Sequence, residues 1–194
     1  CVVLKVISFA EKEVINYIMN KLPLIDSFSQ NFHNSFTNWL PLYWLGYQQT
    51  TKYTYVIEHS NMENLEKILA TDIKRRVKKS NNAGVEIYTS EDIKQFFEIN
   101  KQTFLRQNID IPYSYDFIKK LYDNCKMHNS VKIYFAEYEK KIIAVNFLVY
   151  DNNTVYYLMG GIDPEYRDIG AMDAILVESI KFSLNEDKDF DFEG

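Results

Sequence analysis

The stretch "YYLMGGIDPEYRDIGAMDAILVESIKFSL", residues 156–184, decides the fold. An aromatic-rich strand runs into a Gly-Gly pair, then into a turn, then into a long apolar helix. Residues 171–184 are apolar on most sides, so a helix over about 170–185 is expected to lie buried against a sheet. Gly160-Gly161 fits either a bulge or a close approach of another backbone. The turn also leaves two readings open. The free amides and positive dipole end of a helix start suit an anionic ligand. Equally, Asp163 as N-cap, Pro164 at the first position and Gly170 relieving crowding make the same turn a purely structural corner.

Working outward, "VKIYFAEY" turns at Glu139-Lys140 into "KIIAVNFLVY", which turns at residues 151–153 into "TVYYLMGGI". Links this short imply an antiparallel meander. Upstream, "GVEIYT" reads as a strand. Ser90 is expected to cap a helix through about 106 with Ile93, Phe96, Phe97, Asn100 and Phe104 in register, and Ser114 a helix over about 115–127. Ser60-Asn61-Met62-Glu63 fits a capping box opening one helix over roughly 61–80, with Met62, Leu65, Leu69, Ile73 and Val77 on one face and Gly84 closing it. Further back, "SFAEKEVINYIMNKL" carries a helical stripe, "PLIDSFSQNFHNSF" reads as a short helix, and "LYWLGYQQTTKYTYVIE" reads as two strands. "FDFEG" reads as a closing strand. The sum is an α/β (α+β layered) fold with a mixed, largely antiparallel sheet flanked by helices.

The totals narrow the function. The 194 residues are 46% hydrophobic and 15% aromatic, which suits a packed globule. A net charge of −5 disfavours a general nucleic-acid binder. Cys1 and Cys125 make neither a disulfide framework nor a metal-ligand pattern, so no metal is expected. No apolar run spans a membrane and no secretory signal is read, so a cytoplasmic setting is expected. The opening Cys1 and the closing strand read as the cut ends of a longer chain.

The order of these elements resembles the GNAT acyltransferase fold. Four stretches bring it closer to the Fem-type, FemAB-like branch with two GNAT-like domains per chain: "YTYVIE" leading to "IKRRVKKSNNAGVEI", "QTFLRQNIDIPYS", the turn quoted above, and "FDFEG". The resemblance implies that residues 1–58 end a first GNAT-like domain and that 59–194 form most of a second. It implies N-acyl transfer to a primary amine, with no permanently bound cofactor and with acyl-coenzyme A or aminoacyl-tRNA as donor. The family's R/Q-x-x-G-x-G/A turn maps onto Arg167, Asp168, Ile169, Gly170, Ala171 and Met172, with Met172 where the pattern has a small residue. Asp163, Glu165 and Asp168 against Arg167 leave that turn acidic.

By the same resemblance, the acyl arm enters between the strand ending "MGG" and "FDFEG". Alternation puts Phe190 and Phe192 on one face and Asp189, Asp191 and Glu193 on the other. Glu193 first, and Asp191 second, are the candidate bases, and Tyr156 or Tyr157 the candidate acid, with Tyr157 preferred. A solvated strand end explains the carboxylates as well. Lys74, Arg75, Lys78 and Lys79 form a helix face that meets either solvent or a tRNA phosphate backbone. Arg76 falls in the apolar stripe and is expected to be ion-paired. His33, His59 and His128 are expected at the surface or at caps, and Cys125 in packing.

Overall fold

The computed structural model describes residues 2–33 and 35–193, apart from the side chains of 2–9, 62 and 63. The chain divides into two compact units, Cys1–Lys52 and Tyr53–Gly194. The first holds α1 (Val2–Met19) and α2 (Leu40–Trp44), tied by Asn38 Nδ2 donating to Glu11 and by Lys12 over the Trp44 ring.

Two expectations fail in this unit. The described residues of "PLIDSFSQNFHNSF" form no helix. The first of the two expected strands is α2, because Pro41 sits at the start of a turn whose φ it presets.

The second unit is one six-stranded sheet. Its strands are β1 (Val56–Ile57), β2 (Glu86–Thr89), β3 (Val131–Tyr138), β4 (Lys141–Tyr150), β5 (Thr154–Ile162) and β6 (Asp189–Asp191), in spatial order β1-β6-β5-β4-β3-β2. All neighbours are antiparallel except β5 and β6. The fold is therefore the layered α/β arrangement expected from the sequence. On one face lie α5 (Ile93–Leu105) and α6 (Tyr115–Met127), over a core of Phe96, Ile118, Ile133, Phe135, Val145 and Phe147. On the other lies α7 (Ala171–Asn185), over Ala136, Ile143, Ala144, Leu148, Val155 and Phe190.

Ser114 caps α6 by accepting from Phe117 N–H, as its hydroxyl predicts. Asp92 rather than Ser90 caps α5, accepting from Gln95 N–H, while Ser90 Oγ accepts from Asp92 N–H. The single helix expected over 61–80 is three pieces: a 3-10 turn (His59–Asn64), α3 (Leu65–Ile68) and α4 (Thr71–Ala83). Leu69 and Ala70 are extended between them, with ψ of 125° and 147°. Asp72 then falls in the first turn of α4, where its charge favours a fresh start. Ser60 hydrogen-bonds Glu58. The side chains of Met62 and Glu63 lie outside the described residues. Gly84, at φ +83°, closes α4 as expected.

The β3–β4 hairpin turns on Glu139 and Lys140, at φ +49° and +64°. A turn with two positive φ values favours glycine in its second place. Lys140→Gly is expected to raise stability by about 0.5–1 kcal/mol, the left-handed penalty outweighing glycine's added chain entropy, as read by urea unfolding.

Candidate active site

β5 runs from Thr154 to Ile162, yet β6 accompanies it only at Thr154–Asp189, Val155–Phe190 and Tyr156–Asp191. Past Tyr156, β5 has no β6 partner among the described residues, because β6 ends at Asp191. Two local features stand at this end of the ladder. A register shift opposite Phe147 and Leu148 leaves Leu158 as a bulge, which bends and twists β5. β6 stops at Asp191, whose Oδ1 accepts from Thr54 Oγ1 at 2.5 Å and from Glu193 N–H at 2.8 Å, while Glu193 adopts φ +57°.

The turn at the end of β5 holds the start of α7. Asp163 N–H donates to Ile143 O, and its carboxylate accepts from Glu165 N–H and pairs with Lys141 at 2.8 Å. Burial alone would raise the Asp163 pKa, but the Lys141 hydrogen bond, the Glu165 amide and the Lys141 charge outweigh it and hold the carboxyl below the usual range. A depressed folded-state pKa gives stability that is complete above the ordinary carboxylate range and disappears as pH falls through the folded value. Asp163→Asn is therefore expected to flatten the fall of Tm between pH 5 and acid pH, and to lower Tm at neutral pH by removing the charge.

A 3-10 turn (Pro164–Ile169) follows, then Gly170 at φ +85°. A Cβ there would stand 2.4 Å from the Arg76 carbonyl oxygen of α4. Gly170 thus permits both the left-handed corner and the approach of α4. Arg76 Nε donates to Asp173 at 2.8 Å and its Nη1 to Asp72 at 2.9 Å, the ion pairing expected of it.

Of the turn residues singled out in the sequence, Arg167 and Asp168 are exposed, Ile169 and Met172 are half-buried, and Gly170 and Ala171 are buried. Met172 packs with Ala171 and Ile175. Around the turn stand Asp72, Asp163, Glu165, Asp168 and Asp173 against Arg76, Lys141 and Arg167. A helix start suits an anion in general, but the charges around this one do not.

Of the two meanings the Gly-Gly pair allowed, the close approach holds at Gly161 and the bulge does not fall on the pair. The bulge falls at Leu158, just before it. At Gly161 a Cβ would lie 2.6 Å from Asn100 Cα and 2.7 Å from Ile99 O, so α5 meets β5 backbone to backbone. Asn100 Nδ2 donates to Gly160 O at 2.7 Å and its Oδ1 accepts from Tyr113 at 2.6 Å.

Tyr157, the first β5 residue past the last β6 pair, lies on the α7 side, and burial pushes its phenol pKa up. Asp191 is opposite Tyr156 and so on the other face, buried. Glu193 is exposed beyond the end of β6. The three candidates lie near the end of the β5–β6 ladder but not on one face of the sheet.

Sequence reasoning gave no role at the site to Asn146, Lys141, Thr54 or Asp173. Asn146 left a signal, as the one amide inside "KIIAVNFLVY".

On α4, Lys74, Arg75, Lys78 and Lys79 are exposed and Arg76 turns toward α7. His33, His59 and His128 are exposed; His59 pairs with Asp189 and His128 follows the last turn of α6. Burial raises the Cys125 thiol pKa, which disfavours a thiolate nucleophile. Among the described residues no group of His, Cys, Asp or Glu is arranged to hold a metal ion, and no helix is long and apolar enough to cross a membrane.

Residues 69–193 match the acetyltransferase (GNAT) domain family. The chain belongs to this family. The GNAT match runs from the extended Leu69 to Glu193, covering α4 through β6. FemX shares the GNAT fold at TM-score 0.65 and 14% identity, over 73% of this chain and 52% of its own. A conserved protein of unknown function from Bacteroides thetaiotaomicron follows at TM-score 0.54 and 12% identity, over 72% and 49%. The C-terminal domain (DUF2156) of a putative lysylphosphatidylglycerol synthetase from Agrobacterium fabrum gives TM-score 0.50 and 14% identity, over 72% and 45%. The chain spans about half the length of these structures. At such identities the likeness is one of fold. No curated protein matches the sequence.

Proposed function

We propose that this GNAT domain is the transfer domain of a Fem-type N-acyltransferase, moving an acyl or aminoacyl group onto a primary amine. The supporting observation is the family match together with a β5 whose far half has no β6 partner among the described residues and leads to the glycine corner that starts α7. In this reading residues 1–58 end a first GNAT-like domain, 59–194 belong to a second, and the protein works in the cytoplasm.

In this reading the acyl carbonyl lies beside the ladder-free part of β5. The amine nitrogen attacks the carbonyl carbon, the bond to sulfur or ribose oxygen breaks, and the leaving group takes a proton. A carboxylate receives the proton lost by the amine. Glu193 is the first candidate, since its exposure lets it pass the proton to water, and Asp191 the second. Tyr157, the candidate acid, is the first β5 residue past the last β6 pair. An acyl-coenzyme A would rest its pyrophosphate on residues 167–172.

One observation favours an aminoacyl-tRNA donor instead. The turn carries more carboxylates than cations, whereas Lys74, Arg75 and Lys78 stand free of that turn on the exposed face of α4.

The test is thermal stability of the chain with acetyl-coenzyme A, longer acyl thioesters and tRNA. A thioester bound at a hundredfold its Kd contributes about 2.7 kcal/mol and raises Tm by several degrees. Salt-sensitive tRNA binding that weakens when Lys74, Arg75 and Lys78 are neutralised identifies the other donor. If neither binds and no amine is acylated, the transferase reading fails and a non-catalytic GNAT-like binding module takes its place.

A further inference from the structure

The sheet ends in β1 on one side and β2 on the other, and neither outer edge has a partner strand among the described residues. Natural sheets blunt such edges with lysine, proline, bulges or inward-pointing charges. The centre of the β1 edge carries none of these. The run "TKYTYVIE", residues 51–58, is built of β-branched and aromatic residues, holds no proline, and has charges only at Lys52 and Glu58. Tyr53 and Tyr55 are 86% and 81% exposed, and Thr54 and Val56 are exposed as well.

The pairing with β6 fixes which way this backbone faces. Val56 pairs with Asp191 and Ile57 with Phe190, and Phe192 N–H donates to Tyr55 O. Tyr55 therefore continues the same register and turns its peptide groups toward β6. Alternation along an antiparallel ladder then turns the amides and carbonyls of Thr54 and Val56 outward. Thr54 is held beside β6 by its hydroxyl, which donates to Asp191. The free edge thus presents two outward residues, one on each side of Tyr55.

We propose that this edge is a dimerisation strand: a second copy of the chain pairs with it antiparallel, about a two-fold axis through Tyr55, and joins the two sheets into one. In that register Thr54 stands opposite the partner's Val56 and Val56 opposite the partner's Thr54, so outward amides and carbonyls meet their own kind of edge. Tyr53 stands opposite the partner's Ile57, and Tyr55 opposite the partner's Tyr55. The charges select this register. Lys52 falls opposite the partner's Glu58 and Glu58 opposite the partner's Lys52, on one face of the strands. Neither side chain is engaged in an ion pair within the chain; Glu58 takes only a 3.4 Å hydrogen bond from Ser60. Moving the axis to Val56 sets Lys52 opposite the partner's Ser60 and loses the match. Residues 85–91 around β2 carry Glu86 and Glu91 and no cation, so that edge offers no such complement. The proposal does not rest on the transferase reading.

The test is sedimentation equilibrium of the 194-residue chain at rising concentration in low salt. A monomer–dimer equilibrium is expected, and added salt should weaken the dimer. Lys52→Glu and Glu58→Lys should each raise the dimer Kd about tenfold or more, because the two-fold axis repeats every pair and one reversal sets two repulsions. The double variant should bring Kd back to within about threefold of the unaltered chain. Both side chains are exposed, so the fold does not depend on them. Amide exchange gives a second reading on the unaltered chain. From monomer to dimer the Thr54 and Val56 amides should slow about tenfold or more, whereas those of Tyr55 and Ile57, already turned to β6, should stay as they are. A chain that is monomeric at every concentration overturns the proposal. A dimer indifferent to the reversals, or not recovered by the double variant, places the interface elsewhere and also overturns it. Open-ended polymers would join β1 to a different edge, and they overturn it as well, as does a dimer that leaves the Thr54 and Val56 amides unprotected.

Discussion

Phe147→Ala should lower the stability of the sheet unit by about 3–5 kcal/mol, the range for emptying a phenylalanine site in a core. Phe147 lies on β4, between β5 and β3, and has no solvent exposure. Its ring meets Phe96 of α5 at 5.3 Å and Tyr122 of α6 at 6.4 Å, both inclined as aromatic pairs prefer. Both helices on that face therefore touch this one side chain, within the wider core beneath them. The Gly161 contact limits collapse into the void, because α5 already touches β5 through its backbone and has no room to sink. The cost should sit at the upper end of the range. Urea unfolding should show a lower midpoint at unchanged slope. A loss below about 1.5 kcal/mol, the scale of a volume-conserving swap, would mean that α5 and α6 close over the gap and that the backbone contact is not the limit described.

The second large effect is at Gly170, and it has an internal control at Gly84. Both residues are left-handed, at φ +85° and +83°. An added Cβ at Gly84 meets nothing within 4 Å, whereas at Gly170 it meets Arg76 O at 2.4 Å. Gly84→Ala should cost about 1–2 kcal/mol, the left-handed penalty alone. Gly170→Ala should add overpacking of about 1–3 kcal/mol. The excess measures the contact between α4 and the start of α7. It should come with faster amide exchange in α4, which is forced outward. If the two substitutions cost the same, α4 yields freely and the corner is not held by it. In the functional reading, Gly170→Ala also deforms the amides proposed for the donor's phosphates, so any thermal shift by a thioester should shrink.

Local chemistry explains what the sequence made legible. Ser114 announces α6, and Gly84 announces the end of α4, because each signal and its effect lie within a few residues. The meander was readable from its short links, and α7 from its apolar run. The 61–80 stretch misled because Leu65, Leu69, Ile73 and Val77 keep helical spacing through a break that the spacing cannot reveal. The aromatic run before Gly46 looked like a strand until Pro41 set its start.

At the site, the corner at Gly170 was visible but the reason for it was not. The obstructing carbonyl belongs to Arg76, far back in the chain. Asn146 looked odd among apolar neighbours, yet its place opposite Gly160 depends on a register that the Leu158 bulge sets. Contacts across such distances leave no local periodicity to read.

The pairing of β1 with β6 has a consequence for how the protein is made. Thr54 and Asp191, which join the two strands, are 137 positions apart. On a ribosome, the segment that enters the sheet first in sequence must wait for nearly the whole unit to be synthesised before its partner arrives. Meanwhile Tyr53 and Tyr55, more than four-fifths exposed even after folding, are carried on an open edge. Closures this remote in sequence are slow, and unpaired edges invite association with other chains. Nascent chains halted before residue 189 should therefore be the ones that a holdase chaperone binds through this tyrosine-bearing edge.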